Sequence, residues 1–254
     1  MPGGEGIKIF ARIRPTKRPS RFFDIDPDSH TMNFNIPKDT ANGILVNNAR
    51  TNYRFKFDGV FGMDATQEDV FNVVAKSSVD SVLEGYNSTI FAYGQTGSGK
   101  TFTITGGAAR YSDRGVIPRV LTYLYEKCKK DNTAQYSIYI SFLEIYNENG
   151  FDLLDDAHEN ATDMNDLQKV AIMEDDSGNM HLNGLSMNLA SSPDEAMNLL
   201  FVGDTNRVMS ETSMNKTSSR SHCIFTISVE SRKPGSDIIK RSKLNLVDLA
   251  GSER

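Results

Sequence analysis

An α/β domain with a central, mostly parallel β-sheet and helices on both faces is predicted by three features of this 254-residue sequence. Strand-like and helix-like stretches alternate along the chain. The short apolar run Thr89 to Tyr93 has the pattern of a strand buried on both faces of a parallel sheet. A glycine-rich phosphate-binding pattern follows that run directly and leads into helix-forming sequence. No internal repeat or low-complexity linker divides the chain, so residues 7–254 read as one domain behind a flexible tail, residues 1–6.

The elements follow in order. Ile7 to Ile13 and Tyr53 to Phe57 read as strands, the second with an aromatic stripe, Tyr53, Phe55 and Phe57, expected to pack as core. Thr66 can cap a helix carrying Val70, Phe71, Val74, Val79, Val82 and Leu83, which Gly85 ends. Gln135 to Ile145 is a longer β pattern, and the acidic, Asn-rich stretch Asp155 to Gln168 reads as an exposed loop. Ser192 caps a further helix, with Pro193 in its first turn, Glu195 completing a capping box and Gly203 as its expected end. Cys223 to Ser231 and Ile238 to Leu249 form a hairpin across Pro234 and Gly235.

Composition narrows the function classes. Apolar residues make up 38% and charged residues 24%, near the globular average. A formal net charge of -5 offers no blanket attraction to nucleic acid or an anionic membrane, so neither is expected as a partner. Cys128 and Cys223 lie far apart outside any C-x-x-C pattern, which argues for buried free thiols rather than a disulfide or zinc site. His30, His158 and His181 fall in apparent loops at spacings unrelated to a metal site. No run of about 18 apolar residues is present to span a membrane.

The strongest chemical signal is Gly94-Gln95-Thr96-Gly97-Ser98-Gly99-Lys100-Thr101, which fits G-x-x-x-x-G-K-[ST] between a strand and a helix. A chance match is expected in about one chain in 100 of this length, before the strand is required. Glycines let backbone N–H groups turn inward around phosphate oxygens. Lys100 reaches the β and γ phosphates and the Thr101 hydroxyl ligates Mg²⁺. The expected fold is therefore of the P-loop NTPase type.

Two weaker elements point to the same γ-phosphate. Asn215-Lys216-Thr217-Ser218-Ser219-Arg220-Ser221-His222 gathers hydroxyls around a guanidinium, although by composition alone it is a polar surface turn. Asp248-Leu249-Ala250-Gly251-Ser252-Glu253 follows an apolar strand, placing Asp248 at the carboxyl end where ligands bind open α/β sheets. An Asp there can hold Mg²⁺ through water, and a glycine N–H can touch the γ-phosphate.

Together these residues resemble the P-loop, switch I and switch II of kinesins. Arg12-Ile13-Arg14-Pro15, Gly85-Tyr86-Asn87 and Phe142-Leu143-Glu144-Ile145-Tyr146-Asn147-Glu148 are similar to other kinesin stretches, so the resemblance spans residues 7 to 254. Val46-Asn47-Asn48, Phe55-Lys56-Phe57-Asp58 and Gly203-Asp204-Thr205-Asn206-Arg207 resemble the kinesin-9 class, which is associated with cilia and flagella. The resemblance implies a microtubule-stimulated ATPase that uses ATP and Mg²⁺ and moves along microtubules in the cytoplasm, cytoskeleton or axoneme. Arg12 and Pro15 would flank the adenine, with Phe102 packing on the base. Ser219 would join Thr101 at the metal, Asp248 would hold a metal-bound water, and Gly251 would donate to the γ-phosphate. Asn215 would help place the attacking water, while Arg220 and Glu253 would form the ion pair that closes the site.

A kinesin motor domain is expected to continue beyond Arg254 through its microtubule-binding helices and neck linker, and the longer protein to dimerise by coiled coil outside this region. Two other readings remain at this stage. A GTPase-like switch also uses an Asp-x-x-Gly pattern, but no guanine-reading Asn-Lys-x-Asp run is present. A nucleotide-gated, non-motile microtubule-binding protein or inactive fragment differs in kind, and intact Lys100, Ser219, Arg220 and Glu253 argue against it. Lys240, Arg241 and Lys243 read as a solvated strand end.

Overall fold

The structure, a computed structural model, describes residues 6–36, 51–107, 110–159, 161, 166–176, 178, 180–213 and 220–253, with the backbone alone at 159 and 208–213. It divides into two compact units, residues 1–66 and 67–254, where the sequence reading placed residues 7–254 in one domain.

In the first unit, β1 (Phe10–Arg12) pairs in parallel with β5 (Gly59–Phe61). Between them in sequence, β2 (Phe23–Asp26), β3 (Thr31–Asn35) and β4 (Asn52–Lys56) form a three-stranded antiparallel sheet. Register aligns Phe23, Phe34 and Tyr53 across the three strands, so their side chains share one face. The expected core stripe is only partly core: Phe55 is 49% exposed and stacks on Tyr53 at 6.4 Å. A three-stranded sheet this small has too little mass to cover both of its faces.

The second unit opens with α1 (Gln67–Val70), one π turn over Phe71–Ala75, and α2 (Lys76–Glu84), which Gly85 closes in the left-handed conformation as expected. Then come β6 (Ser88–Ala92), α3 (Lys100–Ile104), α4 (Val116–Lys130), β7 (Gln135–Tyr146) and β8 (Asn149–Asp152). They are followed by β9 (Lys169–Glu174), β10 (Met180–Asn183), β11 (Asn188–Leu189), α5 (Pro193–Ser213), β12 (His222–Arg232) and β13 (Ile239–Asp248). Eight strands make one sheet in the order β10-β9-β8-β7-β12-β13-β6, with β11 on β7, and helices flank it.

The α/β architecture is as expected, but strand direction is mixed rather than mainly parallel. Only β13 and β6 pair in parallel among the described strands of this sheet. The short connections from β7 to β8 and from β12 to β13 force their strands to run antiparallel. Among the described strands β6 lies at the sheet's end, and Phe91 and Tyr93 are exposed instead of buried.

Three further expectations change. The stretch Asp155 to Gln168 is not wholly exposed, since His158 is buried with its Nε2 against the Asp152 carbonyl, and Leu167 packs on Phe151. His181 lies in β10 and pairs with Asp175, so it is not a loop residue. Gly203 does not end its helix: α5 runs on to Ser213. Its start is as read, with the Ser192 hydroxyl accepting from Glu195 N–H at 3.2 Å and the Glu195 carboxylate accepting from Ser191 N–H at 2.7 Å. Gly203 serves close approach instead, because any Cβ there would strike the Phe142 ring on β7.

Candidate functional site

Sheet register builds the floor of the site. Glu144 on β7, Cys223 on β12 and Asp248 on β13 are paired across neighbouring strands, so their side chains share one face at one level. Two residues back, Phe142 and Phe225 occupy that same face, edge to face at 5.2 Å. Helix α5 lies against it through Ala196, Leu200, Gly203 and Arg207, spaced for one helical stripe. Gly203 on Phe142 lets the helix come close enough for Arg207, one turn on, to reach Asp248.

Asp248 therefore has two partners on one oxygen. Its Oδ2 accepts from Arg207 Nη1 at 3.0 Å and from the Thr101 hydroxyl at 2.6 Å, while Oδ1 is buried without a protein hydrogen-bond partner. Both charged side chains are nearly sealed, at 7% exposed for Arg207 and 4% for Asp248. Burial opposes the Arg207 charge, but the surrounding acids, Asp248 and Glu144 among them, raise the guanidinium above its ordinary range. Burial pushes Glu144 up, against the charges of Arg207 and His158, and neither its Oε2 nor the buried Ser221 hydroxyl has a hydrogen-bond partner among the described residues. Asp204 is pushed up to about 6, first by burial and further by Asp248, while Arg207 pulls it down.

The phosphate-loop pattern folds as its glycines require. β6 ends at Ala92, Ser98 N–H donates to the Gln95 carbonyl at 3.1 Å, and Gly97 (φ 77°) and Gly99 (φ 101°) take left-handed backbone that side chains rarely adopt. Lys100 folds back onto this loop, donating to the carbonyls of Gly94 at 2.9 Å and Gln95 at 3.1 Å. Thr101, next in α3, faces Asp248.

The residues after β13 close over the loop. Ser252 N–H donates to the Gly94 carbonyl at 3.1 Å, and Ala250 N–H donates to His222 Nδ1 at 3.1 Å, tying this segment to the start of β12. The Glu253 carboxylate accepts from Thr96 N–H at 2.8 Å and from the Thr96 hydroxyl, and the hydroxyl contact first among its causes holds Glu253 below the usual carboxylate range. Gly251 packs against Thr96 and Glu253, where a side chain would collide.

The sequence-derived site residues thus fall into three groups. Gly94 to Thr101, Asp248, Gly251 and Glu253 converge, and Phe102 adjoins them, half-exposed, with its carbonyl held by Gln67 Nε2 at 2.6 Å. Arg12, half-buried on β1, and exposed Pro15 belong to the first unit. Asn215 and Ser219 lie outside the described residues. The expected Arg220–Glu253 pair is absent among the described residues: Arg220 is exposed, and Glu253 is bound to Thr96 instead. A carboxylate close to inward-turned N–H groups takes them when no other anion competes. Arg207 and Glu144 stood only inside stretches quoted for the resemblance, with no role given to either, and Gln67 was not singled out from the sequence. The signal for Arg207 was present, a guanidinium on the apolar stripe of α5, in phase with Ala196, Leu200 and Gly203.

The convergence of loop, hydroxyl and strand-end carboxylate is matched by comparison with known proteins. The family model described as the kinesin motor domain matches residues 12–254. This chain belongs to the kinesin motor domain family. It is 40% identical over 252 residues to the kinesin-like protein KLP1 of Chlamydomonas reinhardtii and 42% identical over 251 residues to the kinesin-like protein KIF9 of Mus musculus. Each alignment covers 98% of this chain and 31% of the relative, so the chain spans about a third of the length of these relatives. A solved fast kinesin, described for its ATPase mechanism and its interactions with microtubules, superposes with a TM-score of 0.83 at 32% identity, over 98% of this chain and 66% of that one. The KIF9 and KLP1 likeness agrees with the kinesin-9 class expected from sequence.

Proposed function

We propose that this chain is the nucleotide-hydrolysing part of a microtubule motor that binds Mg-ATP and couples its turnover to microtubule binding and movement. The observation that carries the reading is the 2.6 Å contact of the Thr101 hydroxyl with the Asp248 carboxylate, from motifs 147 residues apart. Membership of the kinesin motor family supports it.

The residues present fit magnesium, a hard cation that prefers oxygen ligands. Thr101 and, through water, Asp248 would hold it together with Ser219, and the buried, unpartnered Oδ1 of Asp248 suits a metal-bound water. When bound, the ion neutralises charge on the terminal phosphates. The chain's own residues do the rest. Lys100 leaves the Gly94 and Gln95 carbonyls for the β and γ phosphates, and the loop N–H groups cradle their oxygens. Phe102, next to Thr101 and exposed, would pack on the adenine.

Glu253 would leave Thr96 to make room for the γ-phosphate, to which the Gly251 N–H would then donate. Glu253 then meets Arg220, which closes the site and positions the attacking water beside Asn215. Loss of phosphate returns Glu253 to Thr96 and frees the switch segments. Microtubules are the partner this reading implies, and the likeness to KIF9 and KLP1 supports a cytoskeletal location for the longer protein, with cilia or flagella as the finer proposal.

The test is steady-state ATP turnover by the full-length protein, with and without polymerised microtubules, beside Lys100→Ala and Arg220→Ala. Turnover stimulated by microtubules and lost in both variants is the expected result. Folded, nucleotide-bound protein without turnover would overturn the enzymatic reading, and turnover indifferent to microtubules would remove the motor.

A further inference from the structure

We propose that Gln67 is a positioning residue for the nucleotide base, pinning from behind both the backbone that carries Phe102 and the loop that backs the Phe102 ring. This rests on the nucleotide-hydrolysing reading with Phe102 on the adenine, and adds to it a residue of α1, outside the phosphate loop and both switch motifs.

Gln67 opens α1 as a polar side chain only 4% exposed. Its Nε2 donates to the Phe102 carbonyl at 2.6 Å and to the Asp113 carbonyl at 3.1 Å, 35 and 46 residues away in sequence. Carbonyl oxygens only accept, so the end of the amide that faces them is its NH₂, and both protons are used. A buried amide donor left without partners is costly, which holds the side chain to these two bonds. The helix is anchored in turn: Val70 is buried, and Phe71 in the next turn lies edge-on to Tyr123 of α4 at 5.8 Å.

Both carbonyls bear on the Phe102 ring. α3 is five residues long and Phe102 is its third. Gly106 N–H, which a continuing helix would aim at the Phe102 carbonyl, donates to the Thr101 carbonyl at 3.0 Å instead, and the Gln67 amide takes the Phe102 carbonyl. The Asp113 carbonyl also accepts from Gly107 N–H at 2.9 Å, and Gly107 lies between Asp113 and the Phe102 ring, where a Cβ would touch both. The ring is 43% exposed, and a ring that open takes its direction from the backbone beneath it. Lys100 and Thr101 have other holds, the carbonyls of Gly94 and Gln95 and the carboxylate of Asp248. Gln67 therefore sets the base side of the site and leaves the phosphate side to the loop.

The experiment uses the full-length protein and reads inhibition of ATP turnover by ADP, which carries the base, and by inorganic pyrophosphate, which does not, alongside kcat and KM for ATP. Gln67→Met, which keeps the unbranched shape and loses both donors, is compared with Phe102→Ala and with the double variant. If Gln67 acts through Phe102, Gln67→Met weakens ADP and raises KM for ATP about tenfold, within the range for losing a base stacked on an aromatic ring. It leaves pyrophosphate inhibition unchanged and alters kcat less than KM. The double variant then matches Phe102→Ala alone, since residues acting on one contact are non-additive. Gly107→Ala sets a methyl group against Asp113 and the Phe102 ring. It weakens ADP without weakening pyrophosphate and supplies the test should Gln67→Met fail to fold. Wild-type ADP inhibition in the folded variants, equal weakening of ADP and pyrophosphate, or additive effects in the double variant overturn the proposal, while wild-type ATP turnover upholds the functional reading. A wild-type protein that does not turn over ATP removes both.

Discussion

Two arginines on either side of the Asn215–His222 segment's hydroxyl-rich stretch meet opposite surroundings. Arg207 is sealed under the sheet with Asp248, whereas Arg220 stands exposed in the turn before β12. The exposed one carries a role that the resemblance implies, and the buried one was given none. The difference teaches that the two kinds of charge answer to different constraints. A buried guanidinium has lost its water and must be matched by fixed acids, so it is part of the fold at all times. An exposed guanidinium is free to change partners, which a switch requires, and it contributes little to stability while waiting.

The largest expected effect breaks the buried side of that comparison. Arg207→Ala leaves Asp248 charged and unmatched in the interior, and unfolding in urea should show a loss of about 3–5 kcal/mol. A loss under 1 kcal/mol would mean that water reaches Asp248 readily. Next comes the contact that brings the arginine in. Alanine ordinarily favours a helix over glycine by about 1 kcal/mol, yet Gly203→Ala should destabilise by about 1–3 kcal/mol because the Phe142 ring is walled in by Phe225 and cannot retreat. A stabilised Gly203→Ala would show that α5 has room to shift.

At the start of the same helix, Ser192→Ala removes the acceptor for Glu195 N–H and should cost about 1 kcal/mol, measured by the same unfolding curve. A surface carboxylate offers a pH-dependent contrast. The Thr133 hydroxyl first, then Tyr136, holds Asp131 down at about 2. Its folded value lies below its unfolded one, so its contribution is present above about pH 4 and fades as pH falls toward 2. The melting temperatures of Asp131→Asn and the wild type should therefore differ at pH 6 and converge near pH 2. A constant gap would separate the effect from ionisation.

Smallest in stability is the exposed arginine itself. Arg220→Ala should leave the unfolding free energy within about 0.5 kcal/mol while ATP turnover falls, the inverse of a structural residue. Matching losses in both measurements would place Arg220 with Arg207 and erase the comparison.

Local patterns were legible in the sequence wherever the chemistry is local. The glycines and Lys100-Thr101 specify a phosphate loop through backbone conformation and donor placement, and Ser192 with Glu195 specifies a helix start, because each depends on neighbours within a few residues. Asp248 at a strand's carboxyl end was readable for the same reason. Gly203 was misread because local rules make glycine a helix terminator, while its reason for being there is Phe142, on another strand. Strand direction in the sheet was misjudged from the apolar run at Thr89 to Tyr93, since an apolar run reports burial and says nothing of which way a partner runs.

What the sequence by itself determined, then, was the family and the phosphate loop, together with the motifs from which the nucleotide and metal residues are proposed. Tertiary structure alone decided who stands behind them. Register across β7, β12 and β13 put Glu144, Cys223 and Asp248 in one row, and the depth of α5 brought Arg207 to it. Those contacts join residues far apart in sequence, and a side chain's partner across a sheet is fixed by register and packing distance, which no local propensity encodes.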